Sequence, residues 1–189
     1  MLKTLRRLVD RHRHADGDYG WLFRPYTGEE LVALAVQSSD DARHAEPLAI
    51  AAVCLRGDRV LTRESLELRL VTPQGRGAET PDRRSGDPDE EVTIDQALAR
   101  LLDFVGNRPL VSWRLDHDLA VLNRSLRRVL GFELPNAGID LAQRYQRHHP
   151  ASGLEVPSVD PQGVLGAAIT TALMHRRLER ATAPVRHGA

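Results

Sequence analysis

The chain has 189 residues and a mass of 21.0 kDa, the size of one ordinary domain. Its 26 basic side chains balance 26 acidic ones, with a pI near 7.1, which excludes a uniformly basic nucleic-acid coat and an acidic disordered chain. Cys54 is its only cysteine, so a disulfide framework and a cysteine-built zinc site are excluded, and 41% hydrophobic residues are enough for a globular core.

In chain order, Leu2, Leu5 and Leu8 recur at intervals of three among arginines and predict an amphipathic helix over residues 2–13. This start lacks the apolar core and small-residue cleavage site of a secretory signal. No apolar run approaches the roughly 20 residues that cross a bilayer, and the expected location is cytoplasmic. Lys3 is the only lysine, and every other strongly basic side chain is arginine, which reads as a coding bias more than a function, although arginine suits phosphate and carboxylate contacts better than lysine does. Tyr19, Trp21, Phe23 and Tyr26 hold four of the eight aromatics in an N-terminal arm, residues 1–30, and are expected to pack on the domain that follows.

Three strands come next. Leu31–Val36 is an almost wholly apolar run of the kind buried on both faces. Leu48–Arg56 is a second, closed by the turn signal Gly57-Asp58. Val60–Val71 is the third, with Leu66, Leu68 and Leu70 alternating with Ser65, Glu67 and Arg69, so that one face is buried and the other wet. Pro73–Glu91 has three prolines, three glycines and one alanine as its only apolar residue, and is expected to be an acidic, solvated loop.

The period then changes to helical. Thr93 and Gln96 fit a capping box ahead of the stripe Ile94, Ala97, Leu98, Leu101, Leu102 and Val105, ended by Gly106-Asn107. Pro109–Trp113 reads as a short strand, and Leu115, Leu119, Leu122, Leu126 and Val129 as the next helix. Gly138–Arg147 opens a further element. The last helix is expected over Val164–Leu178, with Leu165, Ala168, Ile169, Ala172 and Leu173 as its apolar stripe. Residues 31–180 thus form one α/β domain and residues 181–189 a flexible tail. A three-stranded meander followed by α/β units implies a mixed sheet of five strands with helices on both faces.

That order, with the segments Leu110–Leu126 (LVSWRLDHDLAVLNRSL), Gly131–Tyr145 (GFELPNAGIDLAQRY) and Leu48–Pro73, resembles the DnaQ-like, or DEDD, 3′-5′ exonucleases of the polymerase III epsilon type. The resemblance implies a ribonuclease-H-like fold. It places Asp118 on a metal-binding aspartate of the second motif, and Asp140 on an aspartate that opens a helix. Asp118 and Asp140 are therefore the two candidate metal ligands.

The departures from the pattern are as informative. The family's first strand carries Asp-x-Glu, two acids on one strand face. Here those positions are Ala35 and Gln37. The third motif's aspartate falls on Gly166 or Ala167, and its histidine on Pro161 or Gln162. The His-Gly segment after the third strand is missing, and Asp40 and Asp41 lie too far along to replace a pair on the strand. Two-metal hydrolysis holds ions roughly 3.5–4 Å apart, and their mutual repulsion is offset by carboxylates. With most of those acids lost, the expected function is a catalytically degenerate exonuclease-like domain that binds nucleic acid or a protein.

Arg114, Arg124, Arg127 and Arg128 are the candidate nucleic-acid contacts, with single-stranded nucleic acid as the expected ligand. No cofactor is expected. Two alternatives keep different readings open. One is an active nuclease using Mg or Mn on Asp118 and Asp140, assisted by Gln37 or a loop carboxylate. The other is a structural subunit pairing with itself, as a homodimer, or with an intact homologue. His117, the pair His148-His149, Ser38-Ser39 and Cys54 are read as loop, surface and core residues without chemistry of their own.

Overall fold

The computed structural model describes residue 13 and residues 17–40, 44–71, 91–152 and 163–182. The helix expected over residues 2–13 therefore lies outside the described residues but for Arg13, as does most of the acidic loop and residues 183–189 of the tail.

Six strands among the described residues make one mixed sheet: β1 (Glu30–Ser38), β2 (Pro47–Arg56), β3 (Arg59–Leu70), β4 (Glu91–Val92), β5 (Leu110–Ser112) and β6 (Gly138–Asp140). Their order is β4-β3-β2-β1-β5-β6. The meander β1–β2–β3 is antiparallel, and β4, β5 and β6 each join a neighbour in parallel. Gly57, with φ of +55°, makes the tight turn between β2 and β3, a backbone region glycine occupies without a Cβ clash. Among the described residues four α-helices flank the sheet: α1 (Ile94–Val105), α2 (Leu115–Val129), α3 (Leu141–Ser152) and α4 (Gly163–Thr182).

The central strands owe their place to residues that alternate between two dry faces. On one face Val32, Leu34, Ile50 and Leu68 meet Leu98, Leu101 and Leu102 of α1 and Leu122 and Leu126 of α2. On the other, Ala33, Ala35, Ala49, Ala51 and Val53 meet Ala168, Ala172 and Leu178 of α4. The large side chains lie on the first face and the small ones on the second. The alanines lower the surface of β1 and β2, and α4 fills that space with alanines of its own. The N-terminal arm adds to the first core: Leu22 and Phe23 are buried, and Phe132 meets Tyr19 at 5.8 Å and Phe23 at 5.6 Å. The aromatics thus pack on the domain, as expected.

Thr93 and Gln96 form the capping box at the start of α1, and Gly106, with φ of +57°, ends that helix. Several boundaries differ from the sequence reading. There are six strands where five were expected. The added one is β4, whose Glu91 was read as the end of the loop; a two-residue strand has no period to detect, and its only apolar residue, Val92, is buried against the core. Gly138–Arg147 divides into β6 and the start of α3. Along α4 the stripe is displaced: Leu173 is 42% exposed, while Val164, Thr171, Met174, His175 and Leu178 join Ala168 and Ala172 on the buried face. The expectation followed Leu165, Ile169 and Leu173 along one side, whereas a helix seated on alanines can bury a threonine and a histidine and leave part of that side outward. Ala181 and Thr182, assigned to the tail, continue α4.

Candidate functional site

The C-terminal ends of the parallel strands β1, β5 and β6 lie side by side, with Ala33 paired to Val111 and Ser112 to Asp140. Open crevices at such strand ends are where α/β sheets place their ligands. Past its pairing with β5, β1 continues through Ala35 and Gln37, while β5 runs through Trp113 into α2. Four of the six sequence-predicted positions, Ala35, Gln37, Asp118 and Asp140, therefore belong to one end of the sheet. Gly166 and Ala167 are the fourth and fifth residues of α4, the helix that packs on the same face as Ala35.

Their chemistry is unlike that of a metal cradle. Ala35 is buried within the alanine cluster, and Gln37 is exposed. Asp118 is buried in the first turn of α2, where one carboxylate oxygen accepts a hydrogen bond from Ser112 Oγ and the other lies 3.3 Å from His117 Nδ1. Burial pushes its carboxyl above the usual carboxylate range, and the bonds from Ser112 and His117 pull it back. Asp140 Oδ1 accepts the backbone N–H of Gln143 at 3.0 Å and so caps α3. Both aspartates thus have local structural partners. Among the described residues no three His, Cys, Asp or Glu side chains are grouped to hold a metal ion. The described donor set does not fit a pair of divalent cations, which requires several convergent carboxylates.

The remaining candidates are dispersed. Arg124 Nη1 donates to the Ala45 carbonyl at 2.8 Å, Arg127 pairs with Glu133 at 2.6 Å, and Arg128 with Glu46 at 3.3 Å. These three tie α2 to its surroundings. The Arg114 side chain is exposed at the start of α2 and makes no ion pair among the described residues. Asp40 is exposed beyond β1, while Asp41, Pro161 and Gln162 lie outside the described residues. Cys54 is fully buried, with Arg108 Nη1 3.4 Å from its sulfur, and burial raises its thiol pKa. Ser39 Oγ accepts the Glu46 N–H at 3.1 Å, a loop contact. His148 lies on α3.

Two residues escaped the sequence reading, one in this region and one farther along α4. Ser112, the hydroxyl partner of Asp118, left no signal because it sits six residues away in a strand. His175 lies on the buried face of α4, 5% exposed, and its Nδ1 has no hydrogen-bond partner among the described residues. Burial holds its pKa below the ordinary histidine value; Arg144 acts in the same direction and Glu179 against it. A depressed folded-state pKa means that the native state holds the neutral ring. The associated stability is present above the unfolded value, about 6.5, and is lost as pH falls through the folded one. Between those values His175 is expected to contribute a slope of up to about 1.4 kcal/mol per pH unit. Urea melts at pH 7.5 and 5.0 would show a smaller difference for His175→Met than for the native chain.

No protein-family model matches the sequence, and no curated protein matches it. Solved structures do. Cell-death related nuclease 4 (CRN-4) superposes with a TM-score of 0.63 over 82% of this chain and 65% of its own, at 12% identity. A zinc-bound complex of E. coli ExoI with single-stranded DNA gives a TM-score of 0.60 at 12% identity, over 82% of this chain and 41% of its own. The nuclease domain of 3′hExo, a DEDDh family member bound to rAMP, gives 0.60 at 11% identity, over 84% of this chain and 96% of its own. The chain thus spans less than two thirds of the length of the first two and nearly all of the third. Together with the sheet order and the helix on its alanine face, these likenesses establish that the chain has the ribonuclease-H-like, DnaQ-like exonuclease fold.

Proposed function

We propose that this domain retains an exonuclease scaffold without metal-dependent catalysis, and that it works by binding single-stranded nucleic acid. The observation that carries this reading is Ala35 within a dry alanine cluster, at the position where the resemblance calls for the first metal-binding acid. Its neighbour Gln37 offers a neutral amide, a poor ligand for a hard dication. Asp118 and Asp140 are occupied by Ser112, His117 and the Gln143 backbone, which accounts for both aspartates without a metal. Two of the similar structures are named as complexes, one with single-stranded DNA and one with rAMP, which supports nucleic acid as the ligand class of this scaffold.

Purified protein incubated with labelled single-stranded DNA and RNA, in Mg²⁺ or Mn²⁺, is expected to leave the strand at full length while retarding it in a binding assay. Binding should weaken with salt, since phosphate contacts release counterions. Strand shortening that disappears in Asp118→Ala would overturn the proposal. So would the absence of any binding at low salt.

A further inference from the structure

We propose that Trp113 and Arg114 form a nucleotide subsite, in which the indole stacks on one base of a single strand and the guanidinium contacts the adjoining phosphate. This rests on the binding function proposed above and names where the strand is held. Trp113 follows directly on Ser112, the last residue of β5, and so stands at the sheet end where the aligned strands finish. It is partly exposed and packs on the alanine-faced cluster from one side. Tyr145 of α3 fixes the ring by an edge contact, with centroids 5.8 Å apart and planes at 62°. Tyr145 is itself anchored, its hydroxyl donating to the Met174 carbonyl at 3.1 Å. The Trp113 carbonyl accepts the Ala142 N–H at 3.0 Å, which holds the backbone too. The indole N–H makes no hydrogen bond among the described residues.

A ring held in this way loses little freedom when a base stacks on it, and every base offers a π face. Arg114 is the next residue. It is exposed, and of the four arginines considered for nucleic acid it is the one whose side chain makes no hydrogen bond or ion pair among the described residues, although its charge is felt by Asp118. Of the acids at this end, Asp118 turns inward to Ser112 and attracts Arg114 only through space, and Asp140 caps α3. An aromatic face beside an exposed guanidinium that makes no hydrogen bond or ion pair among the described residues suits one nucleotide of a single strand, whereas a duplex would keep its bases stacked on one another.

The chain has two tryptophans, Trp21 and Trp113. In a Trp21→Phe protein, indole emission therefore comes from Trp113 alone, and it can be followed while unlabelled oligo(dT) is added. Anisotropy of a labelled strand measures binding in parallel. The expected result is quenching of Trp113 that saturates at the same concentration as the anisotropy. Trp113→Ala should weaken binding by roughly 5- to 150-fold, while Trp113→Phe retains most of it. Arg114→Ala should lower the salt slope of log K by about 0.7, the share of one phosphate on a single strand. Binding without quenching, with Trp113→Ala as tight as the parent, would overturn the subsite and leave the binding function standing. No anisotropy change at all would overturn both.

Discussion

Ala35→Asp is expected to destabilise the domain by roughly 3–5 kcal/mol at neutral pH, the cost of an uncompensated carboxylate in a dry interior. The new side chain would enter the alanine face of β1, opposite Ala51 on β2 and within the cluster that α4 covers. Ala33, Ala49, Ala51, Val111 and Ala168 in that cluster carry no side-chain hydrogen-bond donor. The carboxyl would escape part of the cost by taking up a proton, so the loss should shrink as pH is lowered. Gln37→Glu, at an exposed position two residues on, should change stability by no more than about 0.5 kcal/mol. Denaturant melts of both single variants and the double variant, with and without millimolar Mn²⁺, test the point. Recovery of the double variant's stability on adding Mn²⁺ would mean that this end of the sheet still gathers a metal. That result would reverse the reading of the fold as a binding scaffold.

The asymmetry between the two faces of the sheet explains how far the sequence could be read. Large apolar residues carry a strong period, so α1 and α2 were legible to within a residue or two, and the β2–β3 hairpin declared itself through Gly57 and the alternation of Leu66, Leu68 and Leu70. The alanine face carries a weak one. Ala33, Ala35, Ala168 and Ala172 differ little in hydropathy from their surroundings, and the buried side of α4 was misphased toward Leu173 as a result. The site shows the same division. The absence of acids at positions 35, 37, 166 and 167 is plain from the residues themselves, whereas the engagement of Asp118 by Ser112 depends on where a strand ends and a helix begins. The arginines were the least legible of all. Charge alone cannot distinguish Arg124, bonded to the Ala45 carbonyl, from Arg114, which points to solvent. Trp113 lay within a motif segment but had no role assigned there; its interest comes from Tyr145, thirty-odd residues later in the chain, which braces it.

Tyr145→Ala is expected to cost roughly 3–5 kcal/mol, in the range for removing a large buried aromatic. Tyr145 is 1% exposed, the ring joins α3 to the alanine-faced core, and its hydroxyl reaches Met174 on α4. Tyr145→Phe separates the two contributions. It keeps the ring and the edge contact with Trp113 and loses one hydrogen bond to a helix carbonyl, for an expected cost of about 1 kcal/mol. The same pair of variants tests the brace. In a Trp21→Phe background, Tyr145→Phe should leave the Trp113 emission maximum and the affinity for oligo(dT) close to those of the parent. Tyr145→Ala, studied at a temperature where it remains folded, should shift the emission to the red as water reaches the indole, and weaken binding beyond what the change in folded fraction accounts for. If Tyr145→Ala loses stability but binds as tightly as the parent once folded, the ring at position 145 is only a core residue. The preorganisation of Trp113 would then have to come from the backbone bond between its carbonyl and Ala142.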